Sequence, residues 1–174
     1  MDTHAAFVAV EEGQLYPFKS RPNAELRTVR AGIYTIWQDG TLLYVGMAGR
    51  SLTEDRIALE RQDNPKSLKG LYSRLKSHAS GRRSGDQFCL YVCDRLILPG
   101  LTPEEIGKVG NGTLNLDALV RAYIHDHLSY RFAETQDSDT AMALEEEIRQ
   151  GRLKVGKPLL NPSRTNRIIK HEER

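Results

Sequence analysis

Two stretches in the first third of the chain, 31–37 (Ala-Gly-Ile-Tyr-Thr-Ile-Trp) and 41–46 (Thr-Leu-Leu-Tyr-Val-Gly), are apolar, β-branched or aromatic at almost every position, with Gln38-Asp39-Gly40 between them. Runs of that kind around an Asp-Gly predict a β-hairpin. Its register decides what it can present. A two-residue Asp39-Gly40 turn pairs Tyr34 with Val45 and sends Tyr34 and Tyr44 to opposite faces, because strand side chains alternate. A three-residue Gln38-Asp39-Gly40 loop with a glycine bulge pairs Trp37 with Thr41 and Tyr34 with Tyr44, which brings both phenols to one face. The second register is the expected one.

Beyond the hairpin the period changes. Residues 46–64 read as a connection with a short helix at Thr53 to Arg61. Leu68, Leu71, Tyr72 and Leu75 then recur at helical spacing through Ser77. On that helix Arg74 and His78 are four apart and share a side, offset from the leucine stripe. After a loop at 80–85, Gln87 to Cys93 alternates as a strand, with Phe88, Leu90 and Val92 on one face and Cys89, Tyr91 and Cys93 on the other. Thr102-Pro103-Glu104-Glu105 is a capping box that starts a short helix ending near Gly110. Leu116 to Leu128 predicts a further helix and Ser129 to Thr135 a strand. Ser138-Asp139 caps a last helix that runs to about Gln150 and stops at Gly151. Residues 1–30, with Pro17 and Pro22, read as an N-terminal arm of short elements packed on the domain. There are no internal repeats or low-complexity tracts.

Composition narrows the class. At 174 residues the chain is one domain's worth, and 39% hydrophobic with 28% charged residues describes an ordinary globule. No apolar run approaches the roughly 20 residues that span a bilayer, and the N-terminus lacks a basic start followed by an apolar stretch. A cytoplasmic protein without membrane association is expected. Cys89 and Cys93 have no second cysteine pair or clustered histidines beside them, which argues for buried thiols in a reducing compartment, not zinc. Phosphate-loop and Ser-His-Asp signatures are missing. His4, His125, His127 and His171 show no partner spacing and read as surface residues.

The net charge is only +2, but its distribution is uneven. From Asn64 to Gly85 there is no acidic residue, while Lys66, Lys69, Arg74, Lys76, Arg82 and Arg83 all fall there. The tail at 163–174 is also basic, with Arg164, Arg167 and Lys170. Such a stretch suits either a polyanion-binding face or a solvated helix face. In the last helix, Glu145 follows Ala141 by four and precedes Ile148 by three, so it borders the apolar stripe while Glu146 and Glu147 turn outward. A carboxylate at the edge of a core is a natural hard-oxygen ligand for a divalent cation such as Mg²⁺.

Gly32-Ile33-Tyr34, Tyr44-Val45-Gly46, Arg74 with His78, Glu145 and Asn161 form, in that order, a spaced set that resembles the GIY-YIG nuclease superfamily. The Arg-x-x-x-His form is similar to its restriction-endonuclease branch. The resemblance spans roughly residues 31–162 and implies an α+β fold, with a small, mainly antiparallel central sheet flanked by helices. Residues 87–127 then stand as an insertion of a strand and helices, for target recognition or dimerisation. The resemblance further implies a DNA endonuclease using Mg²⁺ or Mn²⁺, in restriction, repair or mobile-element biology. Tyr34 would be the general base acting on water with His78 assisting, and Tyr44 a second phenol that orients water or phosphate; the two tyrosine roles are interchangeable on sequence alone. Arg74 would clamp the scissile phosphate, Glu145 hold the metal, and Asn161 brace the site. Many members carry a lysine after the second tripeptide; here Met47-Ala48 follows, and Arg50 is the cation left to substitute. Arg50, Lys69, Lys76, Arg82, Arg83 and Arg164 are the expected DNA contacts. Cleavage of both strands by one site per chain would call for a homodimer or two events. The competing readings are a non-cleaving nucleic-acid-binding module on the same fold and a chance match of motifs.

Overall fold

The computed structural model describes residues 2–19, 22–50, 53, 55 and 70–162. These form an α+β domain. Among the described residues are four strands, β1 (Tyr16–Pro17), β2 (Gly32–Gln38), β3 (Thr41–Ala48) and β4 (Ser129–Glu134), and six helices. The helices are α1 (Thr3–Glu11), α2 (Leu71–Ala79), α3 (Gln87–Val92), α4 (Pro103–Gly110), α5 (Leu116–His127) and α6 (Ser138–Arg149). The sheet is antiparallel with strand order β1-β4-β2-β3. None of the described helices is long and apolar enough to cross a membrane.

The sheet is covered on both sides. On one face Ile33, Trp37, Leu42 and Val45 pack with Ala6 and Val10 of α1 and with Leu144 and Ile148 of α6. On the other, Tyr34, Ile36 and Tyr44 pack with Leu71 and Leu75 of α2, Phe88 of α3 and Val120 of α5. The central strand β2 is therefore buried on both faces from Gly32 to Trp37, which is why its sequence is continuously apolar and does not alternate. The N-terminal arm contributes to this core, since α1 covers the sheet and β1 extends it beside β4.

The hairpin corrects the expected register while keeping its consequence. The turn is the two-residue Asp39-Gly40, with φ of 48° and 79°, the left-handed pair that a type I′ turn requires. Gln38 pairs with Thr41 and Trp37 with Leu42. Leu43 is then extra, a bulge that shifts the ladder so that Ile36 faces Tyr44 and Tyr34 faces Gly46. The bulge lies inside the strand and not in the loop, yet it restores even parity, so Tyr34 and Tyr44 share a face as diagonal neighbours.

A second correction concerns 87–93, which is helix and not strand. Asp86 caps it, accepting from the backbone N–H of Phe88 and Cys89, and the chain continues as a π-helical turn at Cys93–Ile97. The period of two is misleading because Leu90, an apolar residue on the exposed side, sits between the buried pairs Phe88-Cys89 and Val92-Cys93, whose own spacing is that of a single helical stripe. The region at 87–127 is thus all helical, with the expected Thr102 capping box present. The last helix is capped by Asp137, one residue before the expected Ser138. The helix expected at 53–61 and the first turn expected from Leu68 lie outside the described residues.

The edge of β3 is closed by the chain after α6. Leu159 and Leu160 donate backbone N–H to the carbonyls of Leu42 and Leu43. Asn161 then grips Val45 at both ends: its Oδ1 accepts from Val45 N at 2.8 Å and its Nδ2 donates to Val45 O at 2.9 Å. The amide side chain imitates one rung of a strand and satisfies an edge that would otherwise be open. Asn161→Ala is expected to lower stability by about 1–3 kcal/mol in denaturant melts, the cost of losing two hydrogen bonds to half-buried backbone; an unchanged midpoint would mean water replaces the amide without loss.

Candidate active site

Both tripeptide glycines are required by close approach. A Cβ on Gly32 would lie 2.5 Å from the carbonyl of Ala133 and 2.9 Å from Leu71 Cδ1, so this glycine lets β4 and α2 close on β2. A Cβ on Gly46 would lie 2.6 Å from Tyr34 Cζ and closer still to the hydroxyl. The ladder puts Gly46 directly opposite Tyr34, and the missing side chain is the space that the phenol fills. Tyr34 is fully buried; Tyr44, two pairs nearer the turn, is 6% exposed. Their ring centroids are 6.4 Å apart.

Tyr34 Oη meets His78 Nε2 at 2.7 Å. The other ring nitrogen, His78 Nδ1, lies 2.8 and 2.9 Å from the two carboxylate oxygens of Asp86. Asp86 also accepts from Ser77 Oγ at 2.9 Å and caps α3. All three members of the Tyr34–His78–Asp86 chain are buried. Burial pushes the His78 imidazole below its ordinary value despite the Asp86 carboxylate beside it. Burial also opposes the charge on Asp86, but the hydrogen bonds from His78, Ser77 and the backbone outweigh it and keep that carboxyl low. The pair is therefore a neutral imidazole against an ionised carboxylate. A carboxylate only accepts, so His78 carries its proton on Nδ1, and Nε2 receives the Tyr34 hydroxyl.

Beside this chain a cleft of about 680 Å³ opens past the end of β3. Tyr44, Gly46 and Arg50 line it from the hairpin side, Ser73, Arg74 and Ser77 from α2, and Glu145 and Arg149 from α6. Burial pushes Tyr34 well above its ordinary value, and Tyr44 up to about 12, with the Arg74 guanidinium pulling both down in part. Glu145 is 18% exposed and pairs with Arg149 at 3.1 Å. Burial raises its carboxyl, against the opposing pull of Arg149, Arg50 and Arg74. Glu147, by contrast, is exposed and pairs with Arg152.

The fold thus brings Tyr44, Arg74 and Glu145 to the lining of one cleft, with Tyr34 and His78 buried beside it and outside its lining. Asn161 stands behind β3 on Val45, in contact with backbone. Among the expected DNA contacts, Arg50 is at the cleft, and Lys76 and Arg82 line an adjoining groove with Ser73, Ser77, Ser80 and Ser84. Arg83 departs from expectation: its Nε binds Asp117 at 2.7 Å and ties the 80–85 loop to α5. Lys69 and Arg164 lie outside the described residues. His125, expected on the surface, is half-buried with Nε2 2.8 Å from the Ala79 carbonyl.

Two residues of the site escaped the sequence reading. Asp86 follows Gly85 and precedes a run that can be helical, which is an N-cap signal hidden by reading that run as a strand. Arg149 lies four after Glu145, the spacing of a helical ion pair. Comparison with known proteins returned no match for this chain, whether among protein-family models, curated proteins or solved structures.

Gly46→Ala is expected to cost about 1–3 kcal/mol by overpacking against the Tyr34 ring, read as a lowered denaturation midpoint. Stability within experimental error of wild type would show that the ring moves aside freely.

Proposed function

We propose that the protein is a GIY-YIG-type endonuclease, a divalent-metal-dependent hydrolase of DNA phosphodiesters. The observation that carries the reading is a single cleft that combines three arginines with one half-buried carboxylate, beside a buried phenol bonded to a neutral histidine. Arginines suit a phosphate; the phenol–histidine pair suits removal of a proton from water.

Tyr34 acts as the proton acceptor for water, and its own proton passes to His78 Nε2 as it does so. An isolated phenolate would be costly here, because burial raises the Tyr34 pKa well above the ordinary value. Concerted transfer avoids that species, and His78, held neutral by burial, is free to accept. The new bond forms between water oxygen and phosphorus as the bond from phosphorus to the leaving oxygen breaks. The leaving oxygen takes up a proton from solvent. Tyr44, whose ring lines the cleft, orients the water or the phosphate. Arg74 offsets the charge that builds on the phosphate oxygens, and Arg50 and Lys76 extend the positive surface for the flanking backbone.

Mg²⁺ or Mn²⁺ fits Glu145. Among the described residues no group of three or more potential ligands is assembled, and Asp86 is engaged with His78. A single hard carboxylate, with remaining positions filled by water and substrate phosphate, is the way Mg²⁺ is commonly held. Arg149 is the present partner of that carboxylate and competes for it. When bound, the ion would supply Lewis-acid polarisation of the phosphate and stabilisation of the leaving oxygen.

Plasmid nicking by wild type with Mg²⁺ and with EDTA, in parallel with Glu145→Ala, tests the reading. Cutting that needs the metal and falls at least about 100-fold in the variant is the expected result. DNA binding without cutting would make the protein a non-cleaving binding module, and equal cutting by both proteins would sink the metal assignment. The pH profile is a separate check. His78 must be neutral to accept a proton, and its pKa lies below the ordinary 6.5, so the rate should hold steady down to about pH 6.5 and fall only at lower pH. An acid limb centred above pH 7 would place the titrating group elsewhere.

A further inference from the structure

Asp86 has no part in the sequence motif, yet it is 4% exposed and binds Ser77 Oγ, His78 Nδ1 and the backbone N–H groups of Phe88 and Cys89. Two of those bonds cap α3, and that alone would account for an aspartate. They do not account for the rest. The carboxylate is aimed at His78 Nδ1 through both oxygens, and Ser77 Oγ fixes it from the exposed side of α2. A cap needs one oxygen on two backbone N–H groups, and Ser, Thr or Asn would serve equally well. A neutral imidazole in a buried site needs an acceptor-only partner to settle which nitrogen bears its proton. The titratable and charged groups that face His78 are Tyr34 and Tyr44 from the hairpin, Arg74 on its own helix, and Asp86. Of these only Asp86 is restricted to accepting.

We infer that Asp86 is a positioning residue whose carboxylate holds His78 in the Nδ1–H tautomer, leaving Nε2 with the lone pair that accepts the Tyr34 proton. The role in reaction rests on the nuclease reading above; the hold on the tautomer rests on geometry alone. The step balances simply. The proton on Tyr34 Oη moves to His78 Nε2 as Tyr34 takes one from water, and the resulting imidazolium keeps its Nδ1–H on the Asp86 carboxylate, which stays ionised. In this step Asp86 acts through His78 and not on the water or the phosphate. It acts by making the imidazole point the right nitrogen at the phenol and by stabilising the cation that forms.

Asp86→Asn separates this role from capping. The amide oxygen can still accept from Phe88 and Cys89, which leaves its NH₂ facing His78 Nδ1. A donor there drives the imidazole proton to Nε2, where it can no longer receive one from Tyr34. The imidazole ¹⁵N shifts of His78 in both proteins report the tautomer, and Mg²⁺-dependent nicking with a DNA Kd reports the reaction. Expected are an Nδ1–H tautomer in wild type, Nε2–H in Asp86→Asn, nicking lower by about 10²–10⁴-fold and a Kd unchanged. A tautomer that stays Nδ1–H in the variant overturns the inference, as does a switched tautomer with nicking within about threefold of wild type. If wild type cuts no DNA, the nuclease reading fails and the ¹⁵N comparison still decides what Asp86 holds. If Asp86→Asn does not fold, Asp86→Ser keeps the cap oxygen without the carboxylate and takes its place, with a mixed tautomer and the same loss of nicking expected. A pure Nδ1–H population in that variant would overturn the inference equally.

Discussion

The hydrogen bond between Tyr34 and His78 joins the central strand to α2 in the buried layer beside the cleft, and much of the site depends on it. A buried hydroxyl and a buried imidazole both lose hydration on folding, a cost of about 1–3 kcal/mol for each group left unpaired. Their mutual bond satisfies one nitrogen and leaves the other in need of a partner. Asp86 meets that need, and as a buried carboxylate it must in turn collect donors. It finds them in Ser77 and in the first turn of α3. One satisfied pair at the sheet thereby determines where the 80–85 loop ends and where the next helix begins.

The hairpin meets a different constraint. Placing two tyrosines on one face of adjacent strands requires even parity between them, and the two-residue turn alone gives odd parity. Leu43 supplies the missing residue as a bulge. The glycine opposite Tyr34 then follows from size, since the phenol occupies the space above Gly46. Bulge and glycine together let a large aromatic pack over Gly46 while its hydroxyl reaches the helix. Neither feature is a property of the turn, although the turn is the part most visible in sequence.

That contrast accounts for what could be read from the residues alone. The hairpin was legible from its Asp-Gly turn between two apolar runs, and α2, α5, β4, α6 and the Thr102 cap because each is amphipathic or capped by its own neighbours, so local pattern and tertiary environment agree. The position of Glu145 at the margin of the α6 stripe was legible for the same reason. Leu43 was not, because a bulge is fixed by which residues face which cores and not by any composition at the bulge. Residues 87–93 misled because an exposed apolar residue, Leu90, completes an apparent alternation with Phe88 and Val92, although the buried pairs Phe88-Cys89 and Val92-Cys93 recur four apart. Asp86 was lost with them: an N-cap is recognisable only once the helix it caps is recognised. Arg83 was lost differently, since a cation in a basic stretch gives no sign that Asp117, thirty-four residues on, will claim it.

The electrostatics of the cleft sharpen what Glu145 can be. Arg50, Arg74 and Arg149 surround one half-buried carboxylate. In that field an ionised Glu145 is stabilised, yet burial still raises its carboxyl overall, so the arginines do not fully replace the water it has lost. A compact divalent cation, itself hydrated, would restore what burial removes more completely than a single guanidinium does. The guanidinium released from Glu145 would then face the cleft with an Nε that now has no hydrogen-bond partner among the described residues. On the proposed nuclease reading, cation and anionic phosphate would favour one another's entry: the first would free Arg149, and the second would give Arg149 a new acceptor. On that reading the resting ion pair would stand against each ligand alone and would be exchanged for two new pairs when both arrive, which suits a substrate that carries its metal with it.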